Sequence, residues 1–229
     1  MNQKYAIVTG ASSGIGLATA RALSQENHRV SGIARNFSTT AFNELDKVEL
    51  DLSQVESLPT SLEQFIRPPD VLILNAGYGQ FGGIEQFSHG QIKRLIDTNL
   101  VSNLFLVKHF LPKMKHNGGG DIVLIGSESS LSGAKAGAVY CATKFAIRGL
   151  AQSLRADCST ANIRVILVNP GPVESNFFDD LAFEPQAGDD FVVPADAVAD
   201  SIIAALNQPR SVVVDEINIQ PIKRSFRKK

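Results

Sequence analysis

Residues 4–16 read Lys4-Tyr-Ala-Ile-Val-Thr9-Gly10-Ala-Ser-Ser-Gly14-Ile-Gly16, and an apolar-periodic stretch through Leu17, Ala20 and Leu23 follows at once. A short β-rich run that breaks into glycines and re-emerges with helical period reads as a strand, a tight turn and a helix. Glycine lets the backbone turn sharply, and it lets a pyrophosphate approach the first N–H groups of the helix, where the dipole favours negative charge. Gly10, Ser12, Ser13, Gly14, Ile15 and Gly16 are therefore candidate dinucleotide-binding residues. The spacing departs from the G-x-G-x-x-G fingerprint, with three residues between the first two glycines and one between the last two. Such a turn alone is structural about as often as it is functional, so the rest of the chain must decide.

Downstream, apolar runs and helical patterns alternate. Strands are expected near 4–9, 29–34, 47–50, 70–74, 121–126, 163–168 and 212–219, and helices near 14–26, 54–65, 89–116, 138–158 and 195–207. That alternation argues for an α/β fold, a doubly wound parallel sheet of about seven strands with helices on both faces. Ser88-His-Gly-Gln91 has the capping-box pattern at the start of the long helical stretch, Pro112 is expected to kink its last turns, and Asn117-Gly-Gly-Gly120 ends it. The chain has 229 residues and shows no linker, so residues 1–222 are expected to form one domain followed by a short basic tail, 223–229.

A second constellation lies in Tyr140-Cys-Ala-Thr-Lys144, with Ser127 upstream and Asn99 on an earlier helical stretch. A free phenol has a pKa of about 10, and a cation one helical turn away favours its ionised form. A hydroxyl beside the phenol would hydrogen-bond a substrate carbonyl oxygen and hold it for proton transfer. Ser127 could supply it; Ser129, Ser130 and Ser132 are rival hydroxyls. An isolated Tyr-x-x-x-Lys is usually a chance pairing, and its weight comes from the strand-turn-helix that opens the chain.

Taken together, these residues resemble the classical short-chain dehydrogenase/reductase family over nearly the whole chain. Thr9-Gly10-Ala-Ser-Ser-Gly14-Ile-Gly16 is similar to its T-G-x-x-x-G-x-G motif, and Asn75-Ala76-Gly77 to its N-A-G. Asn99, Ser127, Tyr140 and Lys144 fall where the family keeps its catalytic tetrad. Asn169-Pro170-Gly171-Pro172-Val173-Glu174-Ser175 resembles the N-P-G-x-V-x-T segment beside the nicotinamide, with Ser175 replacing Thr and keeping a hydroxyl. The resemblance implies a Rossmann-like sheet of order 3-2-1-4-5-6-7, with the cofactor across the carboxyl ends of the strands. It also implies the roles. Tyr140 would exchange the proton with the carbonyl or alcohol oxygen. Lys144 would lower the phenol's pKa and bond the nicotinamide ribose, and Ser127 would orient the carbonyl. Asn99 would interrupt the long helix and hold a water linking Lys144 to solvent, although an exposed helical position is an equal reading of it. Gly10 to Gly16, Asn75, Ala76, Gly77, Tyr140, Lys144, Pro170, Gly171, Val173 and Ser175 would line the cofactor.

Cofactor choice is read after the second strand. NAD-preferring enzymes usually place an acid there for the ribose hydroxyls; here Ala34 and then Arg35 follow. An arginine can meet a 2′-phosphate with two charge-assisted hydrogen bonds, so NADP(H) is expected over NAD(H), the alternative being a solvated loop cation. Asp51-Leu52 resembles the family's adenine-contact pair, or Asp51 is a local cap.

The segment 173–193 should cover the substrate. It holds Phe177, Phe178, Phe183 and Phe191 with six acids and no Lys or Arg, which suggests an apolar lid suited to a neutral or cationic carbonyl compound. The net charge of −1 conceals five basic residues among the last seven, Lys223, Arg224, Arg227, Lys228 and Lys229, expected as a solvated, frayed terminus. No nucleic-acid or membrane partner is expected: the tail is short, and no apolar run approaches the roughly 18 residues of a membrane span. His28, His89, His109 and His116 form no ligand cluster with Cys141 and Cys158, so no metal is expected. The cysteines, about 25 Å apart on one helix at 1.5 Å per residue, are expected as thiols. With a strand starting almost at the N-terminus, a cytoplasmic protein is expected. The family implies a homodimer or homotetramer paired through its fourth and fifth main helices. The rival to a carbonyl-alcohol oxidoreductase is a regulatory or redox-sensing protein that holds NADP(H) without turnover.

Overall fold

A computed structural model describes residues 3–229. Its centre is β1 (Tyr5–Thr9), flanked by β2 (Arg29–Ala34) and β4 (Val71–Leu74). Adding β3 (Asp46–Glu49), β5 (Gly120–Ile125), β6 (Ile163–Pro170) and β8 (Glu216–Ile219) gives a seven-stranded sheet in the order β3-β2-β1-β4-β5-β6-β8. Every pairing in it is parallel. The five inner strands are short and largely apolar on both sides because both faces are covered, whereas edge strand β3 is mostly exposed. Alternate residues feed two cores: Tyr5, Ile7, Ile122 and Leu124 point to one, Ala6, Val8, Val123 and Ile125 to the other.

The first core is closed by α2 (Leu58–Leu62), α4 (Ser102–His116) and α5 (Ala138–Cys158), through Leu62, Phe110, Met114, Ile147 and Leu154. The second is closed by α1 (Gly14–Gln25) and α6 (Ala195–Leu206), through Leu23, Val198 and Ile202. The stretch expected as one helix over 89–116 is three pieces: α3 (His89–Ile96), a turn of π-helix at Asp97–Val101, and α4. The capping box is made, Ser88 Oγ accepting from Gln91 N at 3.2 Å and Gln91 Oε1 from Ser88 N at 2.9 Å.

Three further expectations change. The helix near 54–65 contracts to α2. The last sheet strand begins at Glu216 rather than at 212; ahead of it Arg164 Nη1 donates to Val212 O at 3.4 Å, and Asp215 O accepts both from Leu167 N at 3.0 Å and from Arg155 Nη2 at 2.7 Å. The basic tail is not frayed. Residues Phe226–Lys228 form β9, antiparallel to β7 (Phe183–Pro185), in a two-stranded ribbon outside the main sheet. The lid acids explain this: Lys223 pairs with Asp190 at 2.8 Å and Arg227 with Glu184 at 2.6 Å, while Arg224 reaches Glu128.

No helix is long and apolar enough to cross a membrane among the described residues.

Candidate active site

The turn after β1 is built for close approach. Gly10 and Gly14 have φ of +66° and +51°, and a Cβ at Gly16 would lie 2.2 Å from the Gly10 carbonyl oxygen. Buried Thr9 locks the turn to the bend after β4: its Oγ1 accepts from Asn75 N at 2.9 Å and from Ala76 N at 3.0 Å. Asn75 Nδ2 returns the tie, donating to Thr9 O at 3.0 Å and Gly10 O at 3.3 Å. Ser12 O accepts from Thr40 Oγ1 at 2.9 Å, which brings the loop after β2 over the turn. At the head of α1, Ser13 is extended and makes no side-chain cap, and no acid occupies the first turn. The helix therefore presents uncapped N–H groups to an anion. These features fit a dinucleotide pyrophosphate. The Ile15 side chain is half-buried against the second core, and its main chain lies in the first turn of α1.

The segment after β6 closes over the same turn. Gly171 N donates to Ile219 O at 2.8 Å, and Val173 bridges to Val193. Ser175 lies against Gly14, its Cβ 3.1 Å from where a Gly14 Cβ would sit, and its Oγ accepts from Phe177 N at 3.3 Å. Between them lies an open cleft of about 450 Å³ lined by Gly14, Arg21, Glu174 and Ser175 among others.

At the outer edge Arg35 is exposed after β2, with no carboxylate paired to it among the described residues. Burial works to raise the Asp51 carboxyl, but hydrogen bonds from Ser53 and the charges of Arg35 and Arg94 outweigh it and hold it below its ordinary value. Asp51 Oδ1 accepts from Ser53 N at 2.9 Å within a turn and caps no helix, since α2 begins at Leu58 with Ser57 ahead of it, while Leu52 is buried in the first core. Arg94, on α3, went unsuggested by the sequence because its motif context is an ordinary amphipathic helix.

Tyr140 and Lys144 occupy successive turns of α5 and are buried, at 5% and 7% exposure. Ser127 follows β5, and its hydroxyl stands beside the Tyr140 phenol, where it favours the ionised form. Its Oγ also accepts from Ser129 N at 3.1 Å. Of the rival hydroxyls, Ser130 Oγ is taken up by Ser127 N at 3.0 Å and Ser132 is exposed. Lys144 Nζ donates to Ile125 O at 3.0 Å and lies 5.8 Å from the Tyr140 ring centre. Burial pushes the phenol up to about 12 against the opposing effect of the Ser127 hydroxyl, and burial pushes the Lys144 ammonium down to about 8. The expected lowering of the phenol by Lys144 is therefore not the balance here: desolvation of the phenolate wins, and the ammonium is anchored on the end of β5.

Asn99 sits in the π turn at 1% exposure, not on an exposed helical face. Its Oδ1 accepts from Tyr78 N at 3.0 Å, and its Nδ2 donates to Tyr78 O at 2.9 Å and to Thr143 Oγ1 at 3.3 Å. It thus straps the bend 75–78 to α5. Its main-chain oxygen accepts from Asn103 Nδ2 at 2.8 Å, a partner four residues on that sequence reasoning missed although the Asn-x-x-x-Asn spacing carries it. A Cβ at Gly77 would lie 3.1 Å from Asn99 Oδ1 and 3.9 Å from Lys144 Nζ, so Gly77, Asn99 and Lys144 converge.

Above the phenol is an aromatic cover. Phe81 and Phe177 lie 5.2 and 5.9 Å from the Tyr140 ring, centre to centre. Among the described residues no group of three or more His, Cys, Asp or Glu is arranged to hold a metal ion, and Cys141 and Cys158 are buried and free.

This architecture has known counterparts. The family model for short chain dehydrogenases matches residues 4–185. An uncharacterized oxidoreductase of Staphylococcus epidermidis is 29% identical over 233 residues, covering 97% of this chain and 99% of that one. Human 17-beta-hydroxysteroid dehydrogenase type 1 is 29% identical over 202 residues, covering 81% of this chain and 62% of that one. Among solved structures, an alcohol dehydrogenase from the archaeon Thermococcus sibiricus, complexed with 5-hydroxy-NADP, superposes with a TM-score of 0.85 at 28% identity, over 98% of this chain and 99% of that one.

Proposed function

Because the chain belongs to the short chain dehydrogenase family of oxidoreductases, we propose that it interconverts a carbonyl compound and its alcohol with NADP(H) as the preferred cofactor. The observation that carries this is buried Tyr140 beside the Ser127 hydroxyl, with buried Lys144 one helical turn away and its Nζ 5.8 Å from the Tyr140 ring centre. When bound, the dinucleotide supplies the hydride equivalent. The chain supplies the rest. Gly10, Ser12, Ser13, Gly14 and Gly16 with the head of α1 take the pyrophosphate, Arg35 the 2′-phosphate, and Asp51 and Leu52 the adenine side. Asn75, Ala76, Gly77, Pro170, Gly171, Val173 and Ser175 wall the nicotinamide side. That a solved relative is complexed with 5-hydroxy-NADP supports the NADP(H) reading.

In reduction, Ser127 donates a hydrogen bond to the substrate oxygen and Tyr140 gives it the phenol proton. A phenol raised to about 12 is fully protonated at neutral pH, so the resting site is set for donation, and the reverse reaction must first generate phenolate. Lys144 offsets that charge from below the ring and bonds the nicotinamide ribose. Asn99 positions this edge through Tyr78 and Thr143 and links Lys144 toward solvent.

We take residues 1–222 as the catalytic domain with the 223–229 segment docked on its lid, the cytoplasm as its compartment, and a homodimer or homotetramer as its assembly, with exposed Leu104 on α4 and Phe145 on α5 as contact residues. The test is turnover of NADPH and NADH against aldehydes, ketones and quinones, by wild type and Tyr140→Phe. Faster turnover with NADPH, reduction outrunning oxidation at neutral pH, and a variant that binds NADPH with nearly all turnover lost are expected. Substantial activity in Tyr140→Phe would remove the phenol from the mechanism, and a preference for NADH would remove Arg35 from cofactor choice.

A further inference from the structure

The phenylalanines of the cover form a continuous run of ring contacts from the surface to the Tyr140 phenol. From Tyr140 the run passes to Phe81 and Phe177, then from Phe177 to Phe178 at 5.1 Å and from Phe81 to Phe183 at 5.1 Å. Both branches meet Phe226, which lies 6.2 Å from Phe178 and 5.7 Å from Phe183 and is 43% exposed. Phe226 belongs to β9, so the outermost ring of the cover is delivered by the C-terminal strand. That strand is tied down along its length. Gln186 N donates to Ser225 O at 3.0 Å, Lys229 N donates to Ala182 O at 3.1 Å, and Lys229 Nζ donates to Phe178 O and Asp179 O.

Part of the charge around the run is answered within the chain. Asp190 and Glu184 of the lid pair with Lys223 and Arg227, and Arg224 pairs with Glu128, the residue after Ser127. Two of the six lid acids, Asp190 and Glu184, are thus answered by bases of the same chain, while Glu174, Asp179, Asp180 and Asp189 make no ion pair among the described residues. What a substrate must replace on reaching Tyr140 is aromatic contact, because Phe81 and Phe177 cover the phenol. Displaced rings lose edge-to-face partners, and a flat ring restores that contact where a small or charged group does not.

We propose that the C-terminal ribbon is part of the substrate site, that Phe226 is a specificity-determining residue in it, and that the substrate class is neutral carbonyl compounds bearing a flat, apolar ring system. The substrate class rests on Tyr140 being the proton donor; the binding surface does not.

The experiment uses the full chain as wild type, Phe226→Ala and Phe226→Leu. In the first arm, NADPH-dependent reduction of 2-naphthaldehyde is compared with that of propanal. Phe226→Ala is expected to lower kcat/KM for 2-naphthaldehyde by about tenfold more than for propanal, through KM, the scale of one well-packed ring contact. Equal effects on both aldehydes overturn the assignment. In the second arm, calorimetry measures 2-acetylnaphthalene binding to the protein loaded with NADP⁺, where no turnover occurs. Binding weakened about tenfold in Phe226→Ala supports the ribbon as substrate surface; unchanged binding, or none in wild type, overturns it. If wild type reduces neither aldehyde, the carbonyl-reductase reading falls while the second arm still decides the ribbon. If Phe226→Ala lowers the thermal midpoint, Phe226→Leu, which retains apolar bulk in β9, takes its place: loss of naphthyl selectivity there supports a ring contact, and wild-type selectivity overturns it.

Discussion

Lys144 carries a cost that only function explains. Its ammonium is buried against one carbonyl, and its pKa falls from 10.5 to about 8. A group whose folded pKa is depressed contributes its full stability above the unfolded value and loses it as pH falls through the folded value. Stability should therefore rise as pH goes from about 8 toward 10.5, and below that window the folded state bears a buried charge costing on the order of 3 kcal/mol. Lys144→Met is expected to be inactive yet more stable than wild type at pH 7, by about 1–3 kcal/mol, with the difference shrinking toward pH 10. Denaturant unfolding at the two pH values checks it; a variant less stable at pH 7 would mean the bond to Ile125 outweighs desolvation. Much at this scale was legible in the sequence. The Tyr140–Lys144 spacing and the Thr9–Gly16 run depend on local chain geometry, which sequence reports directly. The direction of the phenol's shift was not legible, because it depends on Phe81 and Phe177, which arrive from distant segments.

At the scale of elements, one ion network joins the far end of the sheet. Asp121 at the start of β5 accepts from Arg164 on β6 at 2.7 Å and from Arg210 at 2.6 Å. Arg164 also donates to Leu206 O at 2.7 Å and Gln208 O at 2.9 Å, satisfying carbonyls at the C-terminus of α6. Asp121 and Arg164 are buried, at 6% and 3% exposure, so Asp121→Ala strands a buried guanidinium and is expected to destabilise by about 3–5 kcal/mol. Thermal unfolding measures the loss, and activity assayed well below the midpoint should be near wild type. A loss under 1 kcal/mol would mean that solvent reaches Arg164. The parallel strands were readable because apolar runs such as Val71–Leu74 admit few other fates. The β7–β9 ribbon was not: Phe-Glu-Pro and Phe-Arg-Lys carry no strand alternation, and the forces joining them are ion pairs and rings rather than a buried stripe.

For the whole molecule, the cleft proposed for the cofactor and the aromatic cover lie at the carboxyl ends of the strands, which leaves the flank of α4 and α5 as the proposed assembly face. Leu104 and Phe145 there are 40% and 45% exposed, high for large apolar side chains. The double change Leu104→Arg with Phe145→Arg should shift the protein to monomer in light scattering, with its far-UV circular dichroism retained; an unchanged mass would put the interface elsewhere.

The chain contains no tryptophan and three tyrosines. Tyr5 is fixed on Ser31 in the sheet, whereas Tyr78 is strapped to Asn99 and Tyr140 lies beneath Phe81 and Phe177. Two of the three intrinsic fluorophores thus stand in the site itself, with no indole background to mask them. The molecule carries its own optical probe, and a stopped-flow trace of tyrosine emission, without any label, would time the moment at which the aromatic cover parts.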